Sequence, residues 1–319
     1  MMRYTTYFAA ICSVLLISTG CTKEVEIDIP GHVEQLVIDG VIETGQPPIV
    51  LISKSKEVYA PTDLNAFLTG FVSGATVTVS DGTNTVELEE ICSGTLTQAQ
   101  QELFAQAIGI TPSEIANYDL CAYLSLDPDI FGQVGKTYSL NVEFEGETYT
   151  AETRILNPTP LDAVWWKAED DAPNHGYSWC TLSDPANQFD SYKWEVKRMA
   201  SDADGNPEDD NFTETYNPIF NDEFFDGLTF DFFYENPFAY SSTLPENERW
   251  LFEYEDTVVI KLSKMDRNVY EFMEKKYLQL ATAGNPFATP TNIPTNISGG
   301  ALGIWAGYSP SFDTLICVP

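Results

Sequence analysis

The chain has 319 residues, with 48 acidic and only 16 basic side chains, for a formal charge of −32 at pH 7. A surface so poor in cations cannot neutralise phosphates, which argues against nucleic-acid partners and against electrostatic attachment to anionic lipid. The length exceeds the roughly 250 residues at which single cores tend to split, so two domains are expected.

The N-terminus has Arg3, then an uncharged run from Tyr4 to Ile17, then Ser18-Thr19-Gly20-Cys21. A charged start, a short apolar segment and small residues describe a secretory signal over 1–20, too short to span a bilayer. Cys21 after Thr19-Gly20 resembles the lipobox of bacterial lipoproteins. The resemblance implies cleavage before Cys21, acylation of that cysteine (diacylglycerol and palmitate) and a lipidated tether over 21–33. Several acyl chains hold a protein on a membrane because each buried methylene contributes about 0.8 kcal/mol. Lys23-Glu24 resembles the signal that sends lipoproteins to the outer face of the outer membrane in Bacteroidetes.

Four cysteines remain after Cys12 and Cys21 are set aside: Cys92, Cys121, Cys180 and Cys317. An even number in an oxidising compartment suggests two disulfides, with buried free thiols as the alternative. Pairing Cys92 with Cys121 and Cys180 with Cys317 keeps each bridge inside one expected domain. It also staples the base of a segment that looks inserted. No Cys/His cluster has zinc spacing, and no metal or cofactor is expected.

Residues 34–157 read as short strands rich in β-branched residues: Leu36-Val37-Ile38 through Val41-Ile42, Ile49 to Ile52, Ala75 to Val79, Val86 to Leu88, Tyr138 to Phe144 and Tyr149 to Thr153. Ser80-Asp81-Gly82 and Glu145-Gly146 supply hairpin turns. This spacing favours a β-sandwich of immunoglobulin-like shape. Between Cys92 and Cys121 the pattern turns helical near 97–118: Thr97 to Ile108 closed by Gly109, then Thr111-Pro112-Ser113-Glu114 as a second start.

Asn157-Pro158-Thr159-Pro160 stiffens a connector and marks a boundary. The second domain, 161–319, offers strands at Asp162 to Lys167, Tyr177 to Leu182, Ser191 to Lys197 and Thr257 to Leu262. Asp202-Ala203-Asp204-Gly205-Asn206-Pro207-Glu208-Asp209-Asp210-Asn211 has oxygen ligands, but its glycine falls at the fourth place where an EF-hand loop needs it sixth. It reads as a solvated acidic turn. Phe224, Phe225, Phe230, Phe232, Phe233 and Tyr234 form an aromatic cluster among acids. The cluster is denser than one short hairpin buries comfortably, so it reads partly as core and partly as a partner surface. Val269, Phe272, Met273, Tyr277 and Leu280 recur at helical spacing near 266–281, an apolar stripe expected to pack on the second sandwich.

The residues point away from an enzyme. The only histidines are His32 and His175, and there is no nucleophile elbow, His-Glu-x-x-His or phosphate loop. With 48 acids, carboxylate pairs arise by chance and specify nothing.

Cys21 to Pro30, Leu36-Val37-Ile38-Asp39-Gly40, Gly45-Gln46-Pro47-Pro48-Ile49-Val50-Leu51, Asn285-Pro286-Phe287, Asn292 to Ile297 and Gly299 to Trp305 together resemble the Bacteroidetes lipoproteins grouped as domain of unknown function 4249. The resemblance implies an outer-membrane lipoprotein that acts as accessory or substrate-capturing partner of a TonB-dependent transporter. It brings no catalytic residues. The alternatives are a free-standing surface module that binds glycan or peptide, and a hydrolase. The Pro/Asn/Gly segment near 285–300 reads either as a partner-facing loop or as a shaped connector closing the fold.

Overall fold

The alternating patterns become sixteen strands in a computed structural model, which describes residues 33–56, 70–108, 120–200, 209, 211–282 and 292–318. The first half holds β1 (Leu36–Glu43), β2 (Ile49–Lys54), β3 (Thr76–Ser80), β4 (Thr85–Glu87), β5 (Glu89–Cys92), β6 (Cys121–Leu124), β7 (Thr137–Phe144) and β8 (Glu147–Arg154). Then come β9 (Ala163–Glu169), β10 (Ala172–Ser183), β11 (Ser191–Arg198), β12 (Thr213–Asn221), β13 (Thr229–Tyr234), β14 (Phe252–Glu253), β15 (Thr257–Met265) and β16 (Leu302–Ile316). Among the described residues two α-helices join them, α1 (Gln98–Ile108) and α2 (Arg267–Ala281). The chain is mostly β, as its composition predicts.

Local chemistry sets these elements. At the Asp81-Gly82 turn the Asp81 carboxylate accepts from the N–H groups of Thr83 and Asn84 at 2.9 and 2.7 Å. Lys136 reaches the same carboxylate at 2.6 Å, and this bond, with the two backbone donors, pulls the Asp81 pKa down to about 2. Glu145 and Gly146 both take positive φ, 52° and 87°, as a tight β7–β8 hairpin requires. Helix α1 opens with a capping box, the Gln100 side chain accepting from the Thr97 N–H at 3.0 Å. Helix α2 is capped by Asp266, which accepts from the Val269 N–H at 3.0 Å.

One eight-stranded sheet runs in the order β12-β11-β15-β16-β1-β2-β6-β5. Its organising strand is β16. Leu302 to Tyr308 pairs in parallel with β1, and Tyr308 to Ile316 pairs antiparallel with β15. Fifteen residues of strand extend about 50 Å, long enough to serve two neighbourhoods. Two four-stranded sheets cover the large one: β4-β3-β7-β8, and β9-β10-β13 with β14 beside β10.

Each covering sheet closes its own core. The first packs Val77, Val79, Tyr138, Leu140 and Val142 against Ile38, Ile42, Val50, Ile52 and Trp305. The second packs Trp166, Cys180 and Leu182 against Trp194, Val196, Ile260, Leu262 and Leu315. Trp305 and Leu315 share a parity along β16 and the register between them is unbroken, so both cores lie on one face of the large sheet. The helices take the other face. Phe104 and Ala105 of α1 pack with Ile49, Leu51 and Ala122, while Val269 and Met273 of α2 pack with Met265, Ile304 and Ala306. The apolar stripe of α2 lies on that sheet and leaves Leu280 61% exposed at its end.

The expected division between 34–157 and 161–319 therefore does not divide the sheets. Residues 157–160 separate the two cores in sequence, but β16 returns to complete both, and Glu34–Pro319 is one compact unit. The segment entering β16 is a connector. The Asn296 amide donates to the carbonyls of Glu152 and Trp305 at 3.2 and 2.9 Å, and its oxygen accepts from the Trp305 N–H at 2.9 Å. Ser298 and Thr150 exchange backbone bonds, covering the outer edge of β8. Gly303 has φ +105°, and a Cβ there would stand 2.0 Å from the Ile38 carbonyl oxygen. Of the quoted segment, 285–291 lies outside the described residues.

Candidate functional site

Strand parity divides the aromatic cluster. Along β13 the side chains of Phe230, Phe232 and Tyr234 turn inward and join the second core, with Phe225 from the preceding loop. Tyr234 lies against Trp194 with centroids 4.6 Å apart, and burial pushes its hydroxyl pKa up. Of the two readings of the cluster, core and partner surface, these four residues take the first, partly buried against the second core, because a period-two strand packs alternate rings on the sheet beneath it. Only Phe224, 88% exposed, and Phe233, 45% exposed, face outward.

Phe233 belongs to a different constellation. It pairs across the ladder with Trp179 of β10, which pairs with Trp165 of β9. The centroids of Trp165 and Trp179 are 6.1 Å apart, those of Trp179 and Phe233 4.9 Å, and Tyr177 adds its ring 4.6 Å from Phe233. Three strands separated by two spacings of about 4.8 Å make this an aromatic row on the order of 10 Å across. Lys167 places its ammonium 5.3 Å from the Trp179 centroid, and Asp231 accepts from the Thr181 hydroxyl at 2.7 Å. Burial, then the charges of Glu169 and Glu235, raises the Tyr177 pKa. The row offers polarizable apolar contact with a mixed-charge border, suited to binding rather than proton transfer. Sequence reading named the strands carrying Trp165, Tyr177 and Trp179 without assigning their faces. The signal was the alternation Tyr177-Ser178-Trp179-Cys180, with two rings on one face and two small groups on the other.

Beside the second core, Asp184, Asp190 and Asp222 bring buried carboxylate oxygens within 4.8 Å of one another. All three sit at loop ends where β10, β11 and β12 meet. Asp190 takes Lys264 at 2.7 Å, Asp184 accepts from the Tyr192 hydroxyl at 2.7 Å, and Asp222 accepts from the Asp190 N–H at 2.9 Å. Burial, opposed by the backbone bond and reinforced by the other two aspartates, raises the Asp222 pKa. An all-oxygen set suits a hard cation such as calcium, yet Lys264 already supplies positive charge there. The other such cluster, Glu90 with Cys92 and Cys121, has no thiolates to offer, because its cysteines are bonded to each other. Of the acidic segment 202–211, most of which lies outside the described residues, Asp209 is occupied by Arg198, which donates to both carboxylate oxygens at 2.8 and 3.0 Å.

Cys92 and Cys121 form the expected disulfide between facing residues of β5 and β6. Cys180 and Cys317 do not pair. Both are buried free thiols in the second core, and burial raises the Cys317 pKa to about 12 and that of Cys180 further. Cys180 faces inward from β10, where its thiol donates to the Phe232 carbonyl at 3.6 Å. Cys21, His32 and the whole of 1–32 lie outside the described residues, as do 109–119 of the helical segment.

The sequence profile of the family described as Domain of unknown function (DUF4249) matches residues 22–312. No curated protein and no solved structure matches the chain.

Proposed function

The chain belongs to the DUF4249 family, and from that premise we propose that it is a surface lipoprotein of the outer membrane, held by lipid on Cys21. It acts as accessory or substrate-capturing partner of a TonB-dependent transporter and performs no catalysis. The reading takes the two cores as immunoglobulin-like sandwiches fused through β16, a stiff body carried on the 21–33 tether. Among the described residues no helix is long and apolar enough to cross a membrane, and the reading assigns attachment to the acyl chains.

The observation that carries the binding role is the outward aromatic row of Trp165, Tyr177, Trp179 and Phe233. Aromatic residues dominate the energetics of protein contact surfaces, and a contiguous outward set on a rigid sheet, half-buried in Trp165, Tyr177 and Trp179 and exposed in Phe233, is already ordered for docking. The test is a mild-detergent pull-down of the tagged lipoprotein from native outer membranes, with Cys21→Ser and Trp179→Ala controls. One dominant TonB-dependent transporter recovered with the native chain and lost with Trp179→Ala supports the reading. Recovery of the lipoprotein alone moves it to a free-standing binding module.

A further inference from the structure

We propose that the outer face of the β4-β3-β7-β8 sheet is a binding groove for an uncharged oligosaccharide. This site is separate from the aromatic row, which lies on the other covering sheet.

The groove encloses about 700 Å³, within the range of small-molecule sites. Its floor is built in register: Thr78 pairs with Asn141, and Asn141 pairs with Thr150, so three short polar side chains point outward in one row. Asn268, from the first turn of α2, and Ser298, from the connector before β16, also line it. Three distant segments of chain thus bring hydroxyl and amide groups to one concavity. Among the described residues, the side chains of Thr78, Asn141, Thr150, Asn268 and Ser298 make no hydrogen bond, which leaves their donors and acceptors for a ligand.

The chemistry of the lining selects the ligand class. The chain carries 48 acids, yet among the described residues Glu152 is the one ionisable side chain in the groove lining, with Glu87 beside Thr78 on the same face, and the Ser139 hydroxyl already donates to Glu152 at 3.2 Å. A cation finds one carboxylate in the described lining, already bonded to Ser139, and an anion meets a chain of charge −32. An apolar ligand finds no apolar floor, because Leu140 and Ala151 turn their side chains into the core and are 2% and 6% exposed. An extended peptide would pair with a free strand edge, but at β8 Thr150 is bonded to Ser298, and β4, the other edge, is only three residues long. Hydroxyl and amide groups both donate and accept, as the hydroxyls of a sugar do, so a neutral glycan matches the lining group for group. With hydrogen bonds and no ring to stack on, affinity is weak, on the order of 1 mM.

The test uses the detergent-solubilised lipoprotein and saturation-transfer NMR, with maltohexaose, cellohexaose, xylohexaose and mannohexaose as neutral probes. Oligogalacturonate serves as the anionic probe and a casein tryptic digest as the peptide probe. The expected result is transfer to at least one neutral hexaose, weakened about tenfold by Thr78→Val with Asn141→Ala and unchanged by Trp179→Ala. Should the double variant melt below the native chain, Asn268→Ala, at an exposed helix position, replaces it as the groove probe. Transfer to none of the four hexaoses overturns the proposal, as does binding of the peptide pool alone. So does hexaose binding that ignores the groove variants or vanishes with Trp179→Ala. None of these outcomes touches the transporter pull-down, so failure of the groove and failure of the docking role are read separately.

Discussion

The two covering sheets lie on the same face of the same large sheet, yet their outer surfaces share almost nothing. The β4-β3-β7-β8 sheet presents threonine, serine and asparagine with Glu87, Glu143, Glu152 and Arg154 among them, and the β9-β10-β13 sheet presents two tryptophans, a tyrosine and a phenylalanine. Their inward faces are both apolar, and the second is the more aromatic, with Trp166, Trp194, Phe232 and Tyr234 in contact with one core. Inward positions are constrained by packing at crystal-like density, whereas outward positions are free to specialise. The contrast teaches that fold is carried by one parity of each strand and function by the other.

The largest expected effect tests whether the two halves are one folding unit. Trp305 is fully buried in the first core, its indole N–H donating to the Tyr138 carbonyl at 2.9 Å, and it sits on the strand that both halves share. Trp305→Ala is expected to cost about 3–5 kcal/mol in urea unfolding, in a single transition that includes the second core. Two transitions, with the later one unmoved, would separate the halves. Next comes Cys92→Ser with Cys121→Ser, which releases a 29-residue closure confined to the first half. A loss of about 2–4 kcal/mol is expected, without change in the aromatic row. Binding of the transporter at native strength by that variant, below its lowered Tm, is the check.

Much of this was legible from sequence for a definite reason. Alternation, hairpin glycines and capping residues are local, and they place β1, β3, β7, β8, α1 and α2 correctly. What was not legible is long-range. Cys180 and Cys317 look like a pair by count, but each packs as a buried thiol, and counting does not see distance. Ala301 to Trp305 falls within the stretch assigned to the second domain, and nothing within it announces that Trp305 belongs to the first core. The aromatic run 224–234 drew attention by density, whereas the outward row is assembled from three strands and two of its rings stand in Tyr177-Ser178-Trp179, seventeen residues after the connector's last proline.

A smaller effect belongs to the second half alone. The Asp222 pKa is raised, so the folded chain holds that proton more tightly than the unfolded chain. Its contribution is neutral below the unfolded carboxyl range near about pH 4 and becomes unfavourable as pH rises through the folded value. Asp222→Asn keeps the oxygen that accepts from Asp190 and removes the charge. It is expected to raise the Tm at pH 7 and to do nothing at pH 3.5. A drop in Tm at pH 7 would show that the carboxylate itself is required among Asp184 and Asp190.

The smallest stability effect carries the sharpest test of the comparison. Trp166 and Trp179 stand on the two paired strands β9 and β10 with opposite parity, one 5% exposed beneath the sheet and the other on its surface. Trp166→Ala opens a cavity in the second core and is expected to cost about 3–5 kcal/mol. Trp179→Ala removes cross-strand contacts with Trp165 and Phe233 and is expected to cost about 1 kcal/mol or less. Capture should follow the reverse order, with Trp179→Ala abolishing transporter recovery and Trp166→Ala sparing it at temperatures where the variant stays folded. If Trp179→Ala instead destabilised as much as Trp166→Ala, the outer row would be a second packing layer, and parity would no longer separate fold from function on this sheet.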